Sequence, residues 1–338
     1  MFVSPHSSTY YMDTEEKGLV LVGEMIGTYC GWQGMPCQTP IPIPREGLPI
    51  QQLQAGEGFA LLLDVDGNLE ACGCPQGRPI LPQFKRILKS TKIKQFSCGS
   101  YHWYAVTMDG KLIGDMTSDD AQLQLLETVS TKEHPRKIPQ LPPVRLISCS
   151  KAFTVVEDEE GKIWGWGRSK FGQLGVTQDE IVKPRIIPMN SHSTGLLQDI
   201  TTSSCSTILM DSSGTVWIAG SQENKSPEFT KVEMEAAIVQ VVAGSRVIMC
   251  LDTRGCIWNC TDAKATKLEL MGEGNAKLAA WYNSFAAITK DGVGTWFDPK
   301  GKALSQVGIE SHGEDLQPVT IRCTSFPRTH SGPKSATK

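Results

Sequence analysis

One arrangement of apolar and polar positions recurs along this chain. A strand-like run of apolar and small residues is followed by a short polar break and then by a second apolar run. A two-residue turn ending in glycine comes next, and a third short run carries an aromatic residue. The copies are "IQQLQAGEGFALLLDVDGNLEACG" from Ile50, "IKQFSCGSYHWYAVTMDGKLIGD" from Ile93 and "VRLISCSKAFTVVEDEEGKIWGWG" from Val144. They continue with "LQDITTSSCSTILMDSSGTVWIAG" from Leu197, "IVQVVAGSRVIMCLDTRGCIWNC" from Ile238 and "AKLAAWYNSFAAITKDGVGTWF" from Ala276. Short apolar runs bounded by turn residues predict strands, and their recurrence predicts a repeat architecture.

The turn glycines are Gly67, Gly110, Gly161, Gly214, Gly255 and Gly292, at intervals of 43, 51, 53, 41 and 37 residues. Their mean of 45 suits the four-stranded blade of a β-propeller and is too long for a leucine-rich unit. Asp66-Gly67, Asp109-Gly110 and Asp291-Gly292 are pairs in which glycine supplies the positive φ of a tight hairpin. Trp164, Trp217 and Trp258 stand three residues after the glycine and Trp296 four, a periodic aromatic suited to packing between blades. The N-terminal "GLVLVGEM" from Gly18 reads as the third run of a further copy lacking its first two. The segment Pro318 to Cys323, "PVTIRC", reads as the strand that completes it. Such pairing of the termini would hide two strand edges.

The expected fold is therefore all-β: a propeller of seven blades if the C-terminal segment joins, six if it does not. Residues 1–16 read as an N-terminal extension, 17–323 as a single propeller and 324–338 as a disordered tail. Asp119 and Asp120, in the long divergent stretch from Asp115 to Pro143, read as caps of one helical turn.

Composition narrows the function more than the fold. With 40% hydrophobic and 20% charged residues the chain is neither disordered nor fibrous, and no apolar run is long enough to span a membrane. A net charge of −3 argues against a nucleic-acid footprint. The 11 cysteines form no paired metal-ligand spacing: Cys72 and Cys74, and the looser Cys250, Cys256 and Cys260, lack a second pair. With no secretory signal in view, they read as reduced thiols of the cytoplasm or nucleus, the cytoplasm favoured. Asp64-Val65-Asp66-Gly67 is a hairpin turn rather than a calcium loop. Nucleophile elbow, phosphate loop and paired histidine ligands are all missing from the sequence. No enzyme activity, metal or cofactor is expected.

The third copy carries a family resemblance. "GKIWGWGRSKFGQLGV" from Gly161, with "FSCGSYHWYAVTMDGKL" from Phe96, resembles the repeat of the regulator of chromosome condensation family. The resemblance implies a propeller whose Gly-x-x-His loops form a binding face, with acidic residues before the His serving exchange on a Ran-like small GTPase. This chain departs from that pattern. Its His survives only as His102, and the positions before it are Gly58, Tyr101, Ala152, Cys205, Arg246 and Asn283, none acidic.

Those breaks between first and second runs instead gather Glu57, Tyr101, His102, Trp103, Lys151, Phe153, Arg246, Trp281, Tyr282 and Asn283. Aromatics with Arg and Lys are the residue types enriched at protein–protein hot spots. The expectation is a non-catalytic intracellular propeller binding a protein partner as scaffold or regulatory subunit, monomeric within a larger assembly. Exchange activity on a small GTPase is the alternative, and recruitment of substrates for a ubiquitin or kinase system a third.

Overall fold

The computed structural model describes the backbone of 2–3, 9–14, 18–23 and 37–42, and then residues 48–56, 59–74, 81–116, 135–138, 141–189, 196–221, 227–261, 263–268, 275–281, 283–289 and 294–307. Among them every regular element is a strand. The first sheet holds β1 (Phe2–Val3), β2 (Thr9–Thr14), β3 (Gly18–Gly23) and β4 (Cys37–Pro42). The second holds β5 (Ile50–Ala55), β6 (Phe59–Asp64), β7 (Leu69–Gly73) and β8 (Leu81–Arg86). The third holds β9 (Ile93–Cys98), β10 (His102–Thr107), β11 (Leu112–Met116) and β12 (Arg136–Lys137). The fourth holds β13 (Val144–Cys149), β14 (Phe153–Asp158), β15 (Ile163–Arg168) and β16 (Glu180–Ile186).

In the fifth are β17 (Leu197–Thr202), β18 (Thr207–Asp211), β19 (Val216–Ala219) and β20 (Thr230–Val232). The sixth comprises β21 (Ile238–Ala243), β22 (Ile248–Asp252), β23 (Ile257–Asn259) and β24 (Thr266–Leu268). The seventh comprises β25 (Asn275–Trp281), β26 (Ser284–Thr289), β27 (Gly294–Phe297) and β28 (Ala303–Val307). Each sheet is an antiparallel meander in chain order. The first strands succeed one another as neighbours from β5 to β25, and β1 lies against both β25 and β5.

The N-terminus departs from expectation. Both edges of β3 are occupied, by β2 and β4. Residues 1–16, expected to be an extension, supply β1 and β2. The two missing runs are present, written as "FV" and "TYYMDT" rather than as the apolar runs of the other copies. Residues 318–323, the tail from 324 and Asp119–Asp120 lie outside the described residues.

The turns behave as read. Gly67, Gly110, Gly161, Gly214 and Gly255 have φ between +78° and +82°; Gly292 lies outside the described residues. A side chain missed from sequence completes them. Asp64, Asp158, Asp211 and Asp252, three residues before their glycine, each accept two main-chain N–H bonds through Oδ1. These turns also tie sheet to sheet: Ile93, Val144 and Ile238 N–H donate to the carbonyls of Gly67, Gly110 and Gly214 in the preceding sheet.

Second strands are buried on both faces, as β6, β10 and β14 show along their whole length. Successive side chains of a strand point to opposite faces. On β10, Trp103 and Ala105 therefore pack with Phe59, Leu61 and Phe96, while Tyr104 and Val106 pack with Phe153, Val155 and Trp166. A strand clamped between two sheets needs apolar residues at every position, which is why these runs show no alternation.

Candidate functional site: the loops between first and second strands

Five of these loops share one closure. The N–H of Gly56, Ser150, Ser203, Gly99 and Gly244 donates to the carbonyl three residues on, at 2.8–3.0 Å. The third residue on begins or borders the second strand, so its side chain turns inward. Of the intervening residues, Tyr101 is half-buried and Lys151 and Arg246 are exposed, whereas Ser100 and Cys205 are buried. In the seventh sheet Asn283 is exposed in the corresponding turn.

The loops abut. A Cβ on Gly99 would overlap the Ser150 carbonyl and the His102 ring, and one on Gly56 would lie 2.6 Å from the Gly99 carbonyl. Ser150 Oγ donates to the Ser203 carbonyl, and Ser204 Oγ to Ser245 Oγ at 3.1 Å. The second to sixth sheets thus present one continuous platform of loops.

Three expected binding residues are corrected by this geometry. His102, Trp103 and Phe153 have 0%, 0% and 1% of their surface exposed, too little for direct contact with a partner. His102 Nε2 lies 3.2 Å from Thr154 Oγ1 in the next sheet, and its ring stands edge-on to Tyr104 at 5.5 Å. Trp166 Nε1 donates to the Tyr104 hydroxyl at 3.3 Å, and burial pushes that phenol's pKa well up. The surviving histidine is a strut between sheets. Glu57 and Tyr282 lie outside the described residues. Trp281 ends β25, opposite Ser284.

The Gly-Gln-Leu-Gly segment has a comparable structural role. Gly172 and Gly175 take φ of +79° and +68°, and Gln173 is 1% exposed. Its carbonyl accepts from Thr207 Oγ1 at 2.6 Å, and a Cβ on Gly220 would lie 2.7 Å from Gln173 Cα. The segment is a wedge joining the fourth sheet to the fifth.

Residues 160–207, which contain this wedge, match the family model of the regulator of chromosome condensation (RCC1) repeat. A solved structure of Prp20p from Saccharomyces cerevisiae superposes with a TM-score of 0.67 at 16% identity, covering 88% of this chain and 82% of that one. The fold is that of the RCC1-like β-propellers. Human WBSCR16 has the same fold, with a TM-score of 0.65 at 13% identity over 86% of this chain and 88% of that one. Among curated relatives, mouse E3 ubiquitin-protein ligase HERC2 is 26% identical over 70% of this propeller but only 5% of its own length. The ultraviolet-B receptor UVR8 of Arabidopsis thaliana is 30% identical over 32% of this chain and 24% of its own. The human regulator of chromosome condensation is 31% identical over 33% and 25%. The propeller therefore spans a quarter or less of each of these curated relatives.

Proposed function

We propose that this chain is a closed seven-bladed propeller that binds a protein partner through its platform of loops. It acts without catalysis, as a scaffold or regulatory subunit inside the cell, the cytoplasm before the nucleus. The observation that carries the reading is the platform itself. Adjoining loops are locked together by Ser150–Ser203 and Ser204–Ser245 while Tyr101, Lys151, Arg246 and Asn283 stay at the surface. A rigid base presenting aromatic and cationic side chains is what an interface hot spot requires. Seven four-stranded sheets, with β1 against β25 and β5, support closure of the ring. Trp281 and Tyr282 belong to the same proposed surface by their place in the repeat, as does Glu57.

The second reading is exchange on a Ran-like small GTPase. It is favoured by likeness to the regulator of chromosome condensation and to Prp20p, whose structure is described together with its binding properties to Gsp1p and histones. The described positions before the family His (Tyr101, Ala152, Cys205, Arg246 and Asn283) weigh against it, since none can supply an acid.

The test is affinity capture with the wild-type chain and with the Lys151→Glu, Arg246→Glu double variant, read by quantitative mass spectrometry. Loss of one reproducible partner at an unchanged melting temperature is expected. Retention of every partner by the variant overturns the platform reading. Accelerated release of a fluorescent guanine nucleotide from a GTPase panel would establish the second reading instead.

A further inference from the structure

The first strands of five sheets line an open cavity of about 290 Å³, at the small end of the roughly 300–1,000 Å³ spanned by ligand pockets. Its wall is polar, and most of it is committed to holding the strands together. Gln52 Nε2 donates to the Phe96 carbonyl at 2.7 Å, and its Oε1 accepts from Phe96 N–H at 3.2 Å. Gln95 Nε2 donates to the Arg145 carbonyl. Gln240, further round, spans to Leu278 N–H and carbonyl at 2.8 and 3.0 Å. Ser97 Oγ accepts from Cys149 N–H, and Ser148 Oγ pairs with Thr202 Oγ1.

The three glutamines hold one register position, the residue just past the bulge of the first strand. Gln52 lies opposite Leu63, Gln95 opposite Val106 and Gln240 opposite Leu251. Asp199, opposite Met210, holds that position on β17 and lines the cavity. It is one methylene shorter than glutamine and, ionised, has no donor, so it cannot make the two-way bridge to the next strand. Among the described residues its carboxylate accepts one side-chain bond, from Thr201 Oγ1 at 3.3 Å. Lys277 occupies the equivalent position on β25 but is exposed and not part of the cavity wall. A wall whose glutamines and hydroxyls are largely committed to bridging the strands thus carries one carboxylate with capacity to spare.

We propose that this channel binds a single organic cation on an aliphatic stem, the side chain of a lysine or arginine presented by a partner, with Asp199 as its counter-ion. The volume suits one side chain. The donor set suits an organic cation better than a hard divalent metal, which takes six or more oxygen ligands: one carboxylate is available, and the Gln52 and Gln54 side-chain carbonyls are engaged by Phe96 and Cys98 N–H. The Ser148–Thr202 hydroxyl pair and the Thr201 hydroxyl supply further acceptors for N–H groups. This inference is independent of the loop platform, and either can fail without the other.

The experiment is a titration of the full chain, isotope-labelled for NMR, with acetyl-arginine methylamide, acetyl-lysine methylamide and the neutral isostere acetyl-citrulline methylamide. A ligand of so few atoms binds in the millimolar range at best. Saturable shifts of the amides of residues 199–202 and of Ser148 are expected with one or both cations. Citrulline should bind at least tenfold more weakly, and Asp199→Asn should weaken the cations by a similar factor while its remaining spectrum keeps the wild-type dispersion. The preferred cation tells lysine from arginine. Citrulline binding as tightly as the preferred cation, or no saturable shift with either cation in the wild-type chain, overturns the proposal whether or not the variant folds.

Discussion

Trp217 and Trp258 occupy one position in successive repeats, three residues past the turn glycine, yet their indole N–H groups end differently. Trp258 Nε1 donates to Asp252 Oδ2 at 3.0 Å, and the two residues are 5% and 1% exposed. Trp217, 4% exposed, has no acceptor for Nε1 among the described residues. The aspartate at the matching position, Asp211, spends its Oδ1 on Ser213 and Thr215. Replacing either tryptophan by phenylalanine removes about the same apolar bulk, worth about 2 kcal/mol at two to three methylene equivalents. Trp258→Phe also removes a hydrogen bond to a charged acceptor, about 1.5–3 kcal/mol more, for a total near 3.5–5 kcal/mol. Trp217→Phe instead removes a buried, unsatisfied donor whose burial costs about 1–3 kcal/mol, so its net effect is within about 1 kcal/mol of zero. Equilibrium urea unfolding of both variants, compared at a common slope, measures the difference. A gap of at least ~2.5 kcal/mol is expected. Equal losses, or a larger loss for Trp217→Phe, would refute the reasoning.

Further outcomes follow from the turns and buried charges. Gly214→Ala places a Cβ 2.6 Å from Ile238 backbone atoms at φ +78°, whereas Gly161→Ala at φ +81° meets nothing nearer than the Leu196 side chain at 3.3 Å. Thermal unfolding should show the first losing more than about 3 kcal/mol and the second about 1–2 kcal/mol, the cost of the left-handed backbone alone; a reversed order contradicts the geometry. Glu157 is fully buried and accepts from Leu197 N–H and Arg145, so Glu157→Ala should cost about 3–5 kcal/mol by stranding the guanidinium, and a loss under ~1 kcal/mol would show the pair to be dispensable. Burial raises the Asp199 pKa, the Thr201 and Ile200 bonds offsetting only part of it. The folded chain therefore holds that proton longer than the unfolded chain. The resulting stability is full below the ordinary carboxylate value near ~3.9 and is lost as pH rises through the raised one. Among the described residues the other titratable groups lining the channel are the Cys98 and Cys149 thiols, pushed up by burial, Cys149 to about 12. Lys277 is exposed. Asp199→Asn should thus be no less stable than wild type at neutral pH and should flatten that segment of the stability–pH curve; an unchanged slope refutes the assignment.

How much of this was legible in the sequence depends on whether a signal was local. The turn glycines could be read because a positive φ is a property of one residue, and the repeat because glycines recur. The capping aspartates were equally local, three positions before four of the glycines with Thr107 in that place before Gly110, but the Asp-Gly pairs beside the turn drew the reading away from them. Burial of His102, Trp103 and Phe153 was not local. Polar His102 opens a strand clamped by a neighbouring sheet some 50 residues away in sequence, as the His102–Thr154 contact shows. The Asp199 site depended on register: glutamine and aspartate look interchangeable along the chain until Gln52, Gln95 and Gln240 are seen bridging strands that Asp199 cannot. The first two strands of the first sheet escaped recognition because "FV" and "TYYMDT" lack the apolar density of every other copy.

The central claim is that the loop platform is where a partner sits. Hydrogen–deuterium exchange of the captured complex against the free chain tests it most directly. The account predicts new protection at residues 99–101, 150–152, 203–205 and 244–246, with the turns at 65–68, 108–111 and 212–215 unchanged. Protection confined to those turns or to the outer strands, with the platform exchanging as in the free chain, would contradict it.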